Sequence, residues 1–339
     1  MIPESNSYVT VLMSVYNASP YLRESIESIL SQTYPHFEFL IINDASTDNS
    51  SQIIKSYTDN RICLIENIHN LGLNESLNKG LRQARGQYIA RMDADDIALP
   101  QRLERQVNFL ENNPDYGLVG SYMQLLSSKQ LVKVPTSDEA IRTVMLFHNP
   151  FVHPSVMIRK AVLDRYHLWY DETLLAAEDE DLWFRIAQHC KVANLPEVLL
   201  LYRIHSQQVS IAKKTTQQTT SRLIKVKKIR HFMPIDNHLN INFYQQWIVP
   251  DERIKVGKAE LQQLKIWLSA IVRYNSKIKK LNDRLLRIQL ANQLINYLSR
   301  RDKPFTLIQW VKCALLFFTI RRFPLAFIFS SFLDIFRKK

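Results

Sequence analysis

The sequence predicts an α/β protein with an open, mostly parallel, doubly wound sheet, followed by a basic helical region. Three observations carry this expectation. The first 120 residues alternate short apolar runs with helix-like segments. Five of the six glycines fall between Gly72 and Gly120, and only Gly257 follows them. The charge balance reverses as well: residues 1–214 hold 20 Lys and Arg against 25 Asp and Glu, whereas 215–339 hold 24 against 7.

Tyr8–Val15 is short and rich in Val and Leu, the pattern of a strand buried on both faces. Ser19-Pro20 then offers an N-cap with proline at the first helical position, and Leu22, Ile26, Ile29 and Leu30 share one helical face. Phe37–Ile42 is the second strand; the polar loop Asn43–Asn49 follows, then a helix through Tyr57. Ile62–Ile65 is the third strand, and Asn74–Arg85 a helix with Gly86 as its expected C′ glycine. Tyr88–Met92 is the fourth strand, followed by acidic Asp93–Asp96 and a helix opened by Pro100 and running to about Asn112. In such sheets ligands bind beyond the carboxyl ends of the strands, so the loops at 16–19, 43–49 and 93–96 stand where chemistry is expected.

Two domains are expected, 1–214 and 215–339. Residues 215–220 (TTQQTT) read as a linker or helix start, and long basic helices are expected at Lys258–Tyr274 and Lys277–Leu298. Trp310–Ile320 is apolar apart from Lys312, and Leu325–Phe336 contains Asp334. Neither run reaches the roughly 20 apolar residues of a membrane span. Aromatic residues mixed with Lys and Arg suit a segment lying in the membrane interface. The alternative is a helical hairpin packed on the protein's own core.

Composition narrows the classes further. Cys63, Cys190 and Cys313 are scattered and form no CxxC pair, so neither a disulfide framework nor a zinc site is indicated. The first residues lack a basic segment followed by an apolar run, which predicts no secretory signal and a cytoplasmic location. A dinucleotide-binding dehydrogenase would need GxGxxG after the first strand; this chain has Tyr16-Asn17-Ala18-Ser19-Pro20 there. No P-loop and no nucleic-acid-binding module is recognisable, so nucleic acid is not an expected partner.

The strongest site is Met92-Asp93-Ala94-Asp95-Asp96. Three carboxylates within four residues repel one another, and burying them calls for a cation or hydrogen bonds. Hard oxygen ligands favour Mn²⁺ or Mg²⁺, which could hold a diphosphate and neutralise it as it leaves. A solvated acidic loop is the common alternative; the order of strand, acidic run and Pro-opened helix argues against it.

These residues carry a resemblance. The stretches VTVLMSVYNASPYLRESIESILSQT (9–33), FLIINDASTDNS (39–50), NLGLNESLNKGLRQARGQYIARMDADD (70–96), HPSVMIRK (153–160), AEDEDLWFRI (177–186) and YRIH (202–205) resemble glycosyltransferase family 2. They are its motifs in its order, over roughly residues 1–212. The resemblance implies a GT-A-like, Rossmann-like fold and inverting transfer of a sugar from a nucleotide-sugar donor, UDP-linked by family preference. The acceptor would be a saccharide or lipid-linked molecule of cell-surface polysaccharide synthesis. The basic tail, outside the resemblance, would hold the enzyme on the anionic inner face of the cell membrane. The rival is a non-catalytic family member that only binds sugar nucleotide, or a nucleic-acid- or membrane-binding protein.

Carried over residue by residue, the resemblance assigns Val15, Tyr16, Asn17, Asp44, Asp93 and Ala94 to the nucleotide. A carboxylate such as Asp44 can accept the uracil N–H, although a turn residue or helix cap is the plain alternative. Asp93, Asp95, Asp96 and His205 are the implied metal ligands, His205 with a structural role as its alternative. In Glu178-Asp179-Glu180-Asp181, acids in a first helical turn are stabilised by the macrodipole, which accounts for Glu180 and Asp181. Asp179 is the implied catalytic base, with Glu178 orienting it or the acceptor. His153 is the acceptor-side residue, or simply holds a loop. One departure stands out. Many relatives carry Arg two residues after Glu75, in a phosphate-contacting helix, and this chain has Leu77.

Overall fold

The computed structural model describes residues 8–205, 208, 214–250 and 254–300. The segment 304–339, expected to associate with membrane, lies outside the described residues. The chain divides into two compact units: Met1–Ile141 with Asn149–Lys214, and Arg142–His148 with Thr215–Lys339.

The first unit opens as β1 (Val9–Val15), α1 (Leu22–Leu30), β2 (Phe37–Asn43), α2 (Ser50–Lys55), β3 (Ile62–Glu66), α3 (Leu73–Gln83) and β4 (Tyr88–Met92). There follow β5 (Ile97–Ala98), α4 (Arg102–Asn112), β6 (Tyr116–Leu125), β7 (Leu131–Val132) and α5 (Asp138–Met145), whose last turn belongs to the second unit. A 3₁₀ turn (His153–Ser155), β8 (Met157–Arg159), α6 (Lys160–Tyr166), α7 (Glu178–Ile186) and β9 (Lys191–Tyr202) complete it.

The strands pair in the order β3-β2-β1-β4-β8-β6-β9-β5, with β7 on β6. Strands β3, β2, β1 and β4 are parallel neighbours, as are β6 and β9; β8, β5 and β7 run antiparallel to their partners. The expected mostly parallel α/β sheet is therefore present. β1, β2 and β4 are buried almost throughout, the pattern of strands covered on both faces.

Two local expectations fail for physical reasons. α3 ends at Gln83, its cap residue Ala84 is extended, and Gly86 is not in the left-handed region, so Gly86 is no C′ glycine. A Cβ on Gly86 would lie 2.3 Å from the Thr10 backbone nitrogen. Glycine is needed there because two backbones approach closely. Ser19 does not cap α1 with its own side chain: the helix begins at Leu22. The N–H groups of Asn17, Ala18 and Ser19 instead donate to Ser46 Oγ (3.1 Å), Ser50 Oγ (3.0 Å) and Asp48 Oδ2 (2.9 Å). The segment from the loop after β2 into the start of α2 thus satisfies three donors ahead of α1.

The second unit contains α8 (Lys214–Phe232), α9 (Ile241–Ile248), α10 (Lys258–Ile278) and α11 (Asp283–Ser299). The stretch at 215–220 is the first part of α8 rather than a linker. α10 runs past the expected Tyr274 and turns at Lys279, in the left-handed region without a glycine. Asn275 secures that turn, exchanging hydrogen bonds with the Leu281 N–H (2.9 Å) and carbonyl (3.0 Å). Trp247, Trp267, Leu264, Leu290 and Leu294 form a fully buried core that also takes in Leu146 and Phe147. Among the described residues, no helix is long and apolar enough to cross a membrane.

Candidate active site

Loops at the carboxyl ends of β1, β2, β4 and β9 meet through side chains that bridge large sequence separations. Asn17, after β1, has a φ of 51°, and its Oδ1 accepts the Thr47 N–H at 2.8 Å. Tyr16 beside it is 52% exposed. The Val15 carbonyl accepts the Asp44 N–H at 2.8 Å. The buried Asp44 carboxylate accepts from Asn67 Nδ2 (2.8 Å), Leu71 N–H (2.8 Å) and Gly72 N–H (2.9 Å). Asp44 therefore holds the loop that opens α3, where Gly72 takes a φ of 86°. Oδ1 accepts two of these bonds and Oδ2 one, so Oδ2 keeps lone-pair capacity for a ligand. Leu77 is fully buried on α3, and the next turn packs tightly on β1: a Cβ on Gly80 would lie 2.2 Å from Leu12 Cδ1. An apolar side chain fits that surface.

The acidic run after β4 is a cluster in space. Carboxylate oxygens of Asp93, Asp95 and Asp96 all lie within 4.8 Å of one another. Asp96 is fully buried; its Oδ1 accepts the Arg203 N–H at 2.8 Å, while Oδ2 has no partner. Burial, with the charges of Asp93 and Asp95 adding to it, holds the Asp96 carboxyl well above the usual range. Burial raises Asp93 too, against the opposing pull of its ion pair with Arg91. An unpartnered buried oxygen among mutually repelling carboxylates is a mismatch that a divalent cation corrects, and an all-oxygen donor set suits Mn²⁺ or Mg²⁺. The residues fit such an ion. His205 stands beside the cluster: its Nε2 meets Asp95 Oδ2 at 2.8 Å, and its ring packs 4.7 Å from that of Tyr21.

The second acidic group opens α7. Its cap residue Ala177 is left-handed, with a φ of 58°. Asp181 pairs with Arg185 at 2.7 Å, a turn further along the helix. Asp179 Oδ1 accepts the Glu180 N–H (2.7 Å) and Oδ2 accepts from Asn149 Nδ2 (2.7 Å). Burial, and then the charges of Glu178 and Glu180, raise the Asp179 carboxyl to about 7. Glu178 is buried, 3.9 Å from His153 Nδ1. His153 Nε2 lies 2.8 Å from the Tyr170 hydroxyl, and burial, aided by Arg91, keeps the imidazole neutral. Both rings stand edge-on to Trp183, so His153 belongs to a packed aromatic wall.

Four residues to which the sequence assigned no role shape this site. Arg91, 3% exposed on β4, pairs with Asp93 and also feels the charges of Tyr170 and Glu178. An arginine inside an apolar strand was a legible signal, because a buried charge requires a partner. Arg102 is fully buried below it and donates to the Arg91 carbonyl at 2.6 Å. Burial, and then Arg91, lower the Arg102 guanidinium to about 9. Arg203 donates from Nε to the Asp95 carbonyl (2.8 Å), pairs with Glu24 and lies over the Tyr21 ring, tying the end of β9 to the acidic loop. Asn149 left no signal; only the fold brings it to Asp179.

The chain is similar to known glycosyltransferases. The family model described as Glycosyl transferase family 2 matches residues 10–161. An uncharacterized glycosyltransferase of Haemophilus influenzae is 37% identical over 245 residues, 68% of this chain and 76% of that protein. The O-antigen biosynthesis glycosyltransferase WbnJ of Escherichia coli is 34% identical, covering 59% of this chain and 80% of its own. Among solved structures, S. aureus TarS 1–349 in complex with UDP aligns at TM-score 0.56 and 18% identity, over 86% of this chain and 88% of that one. A mannosyltransferase of Pyrobaculum calidifontis in complex with GDP-Man and Mn²⁺ aligns at TM-score 0.55 and 17% identity, over 99% and 89%. At these identities the two structures establish the shared fold.

Proposed function

The chain belongs to glycosyl transferase family 2, and we propose that it is an inverting enzyme that moves a sugar from a nucleotide-diphosphate sugar to a saccharide or lipid-linked acceptor in cell-surface polysaccharide synthesis. One observation carries the chemistry. A cluster of carboxylates suited to a cation and a separate carboxyl raised to about 7 belong to the same unit, with environments that push their roles apart. The process and the donor class are carried over from similar proteins: WbnJ acts in O-antigen biosynthesis, and TarS binds UDP. UDP is the favoured nucleotide; the GDP-Man of the Pyrobaculum enzyme keeps GDP in any donor screen.

Asp93, Asp95 and Asp96, with His205 beside Asp95, would hold a divalent cation, which would neutralise the nucleoside diphosphate as it leaves. Arg203 and His205 keep the Asp95 and Asp96 carboxylates in register. Tyr16, Asn17 and Asp44 would receive the nucleoside. Asp179 takes the proton of the acceptor hydroxyl as its oxygen attacks the anomeric carbon. The new C–O bond forms as the bond to the diphosphate breaks, and the leaving group departs with the electron pair. Attack from the face opposite the leaving group inverts the anomeric centre. Glu178 orients the base or the acceptor, and His153, neutral, lines the acceptor side.

The basic second region is proposed to keep the enzyme on the inner face of the membrane, on the strength of its excess of 24 cationic over 7 anionic side chains. A panel of UDP- and GDP-sugars, read by released nucleoside diphosphate and by mass spectrometry of the product, tests the function. Absence of turnover with every donor in the presence of Mn²⁺ and saccharide acceptors would leave only a binding role.

A further inference from the structure

We propose that Asn149 is the positioning residue of the base: it fixes the plane of the Asp179 carboxylate and holds one of its oxygens so that the other lone pairs face the acceptor. The inference rests on the assignment of Asp179 as base.

The orientation of the Asn149 amide follows from its neighbours. Its Oδ1 accepts the Phe151 N–H at 3.2 Å, so Nδ2 is the group turned toward Asp179 Oδ2, 2.7 Å away. Only a donor fits there, because an ionised carboxylate accepts and does not donate. Asp179 Oδ1 is held at the same distance, 2.7 Å, by the N–H of Glu180 in the first turn of α7. One hydrogen bond on each oxygen fixes the carboxylate plane and leaves lone-pair capacity on both.

Asn149 is itself held rigidly. Pro150 follows it and confines its backbone to extended conformations. The Pro150 carbonyl accepts from Asn194 Nδ2 of β9 at 3.1 Å, and the same amide also donates to the Pro135 carbonyl at 2.7 Å. A rigid donor at the base is the arrangement that a near-attack geometry needs.

The charges around Asp179 give this donor a titration to control. Glu178 and Glu180 flank it on α7, and the Tyr170 hydroxyl, ahead of α7, feels its charge. Arg91 of β4 acts on Glu178 and Tyr170. Burial and the two glutamates disfavour the carboxylate; the Asn149 donor favours it.

The protein alone supplies the readout. In protein labelled with ¹³C at the aspartate carboxyls, the Asp179 signal is identified by its loss in Asp179→Asn, and its shift is followed with pH. The wild-type inflection is expected near 7. Asn149→Ala should raise it by on the order of one unit. Asn149→Asp, nearly isosteric and the deciding variant should the alanine form not fold, should make the pair titrate in two steps, the upper one above the wild-type value. With a donor from the UDP-sugar panel and Mn²⁺, Asn149→Ala should lower kcat roughly tenfold with little change in donor KM, and its acid limb should move with the titration. An unmoved Asp179 inflection in both variants overturns the inference even when Asp179→Asn is inactive. Near-normal turnover of Asp179→Asn overturns the base assignment itself.

Discussion

The two units bury charge differently. In the α/β unit, Glu38, Asp44, Asp96, Glu178, Glu180 and Asp181 are buried, together with Arg91 and Arg102. In the helical unit no carboxylate is buried among the described residues; its buried charges are Lys225 and Lys228, set in a core of aromatic and aliphatic side chains, with polar groups such as Gln293 and Asn275 serving helix ends. Gln293 Nε2 donates to the carbonyls of Trp247 and Ile248, both at 2.9 Å, which close α9. Lys225 in α8 is buried too and donates to the Ser221 hydroxyl. Buried carboxylates are costly, and a fold retains them where chemistry or a cation repays the cost. The first unit carries the candidate site; the second carries a packed helical core and an excess of cationic side chains.

The comparison is broken most directly by removing the cation. EDTA is expected to abolish turnover, with Mn²⁺ or Mg²⁺ restoring it; full activity in chelator would mean that the buried acids of the first unit serve another purpose. The next effect in size is Asp179→Asn, which should retain nucleotide binding and lose at least roughly 100-fold in kcat. In the wild type, kcat/KM should fall about tenfold per pH unit below the Asp179 value near 7 and level off above it, because only the carboxylate accepts the proton.

Stability sharpens the contrast. The Asp179 carboxyl is raised by the fold, so its ionisation costs stability as pH rises from about 4 toward 7. Asp179→Asn should therefore raise Tm more at pH 8 than at pH 5, a stabilised but inactive enzyme; equal shifts at both pH values would place the strain elsewhere. In the second unit, Trp267→Ala should cost about 3–5 kcal/mol by denaturant titration, since a fully buried indole leaves a cavity and its N–H loses the Asn240 carbonyl at 3.1 Å. Such a loss with no change in the Asp179 inflection would keep the two units' roles apart. The smallest effect concerns residues 304–339. Their deletion should weaken binding to anionic liposomes at low salt, each Lys or Arg being worth about 1 kcal/mol at most, and should spare activity on a short soluble acceptor. Full-length protein that ignores such liposomes would remove the membrane role.

The alternation of β1 to β4 with α1 to α3 was legible because side-chain periodicity is a local property: Leu22, Ile26 and Ile29 share a buried face whatever surrounds them. The run Asp93–Asp96 was legible for a related reason, since adjacent carboxylates must meet in space. Other features depend on strand order, which local periodicity does not encode. Asp96 meets Arg203 and Asp95 meets His205 because β9 ends beside the acidic loop. Asp44 is engaged by the loop before α3 because β3 lies next to β2. Arg142–His148 joins the helical unit, and Asn149 directly after it returns to Asp179, across separations of tens of residues. The sequence by itself determined the elements and the acidic run. Which donors hold those acids, and hence which carboxyl is raised to about 7, was decided only by tertiary packing, because desolvation and hydrogen bonding act through distance in space and not along the chain.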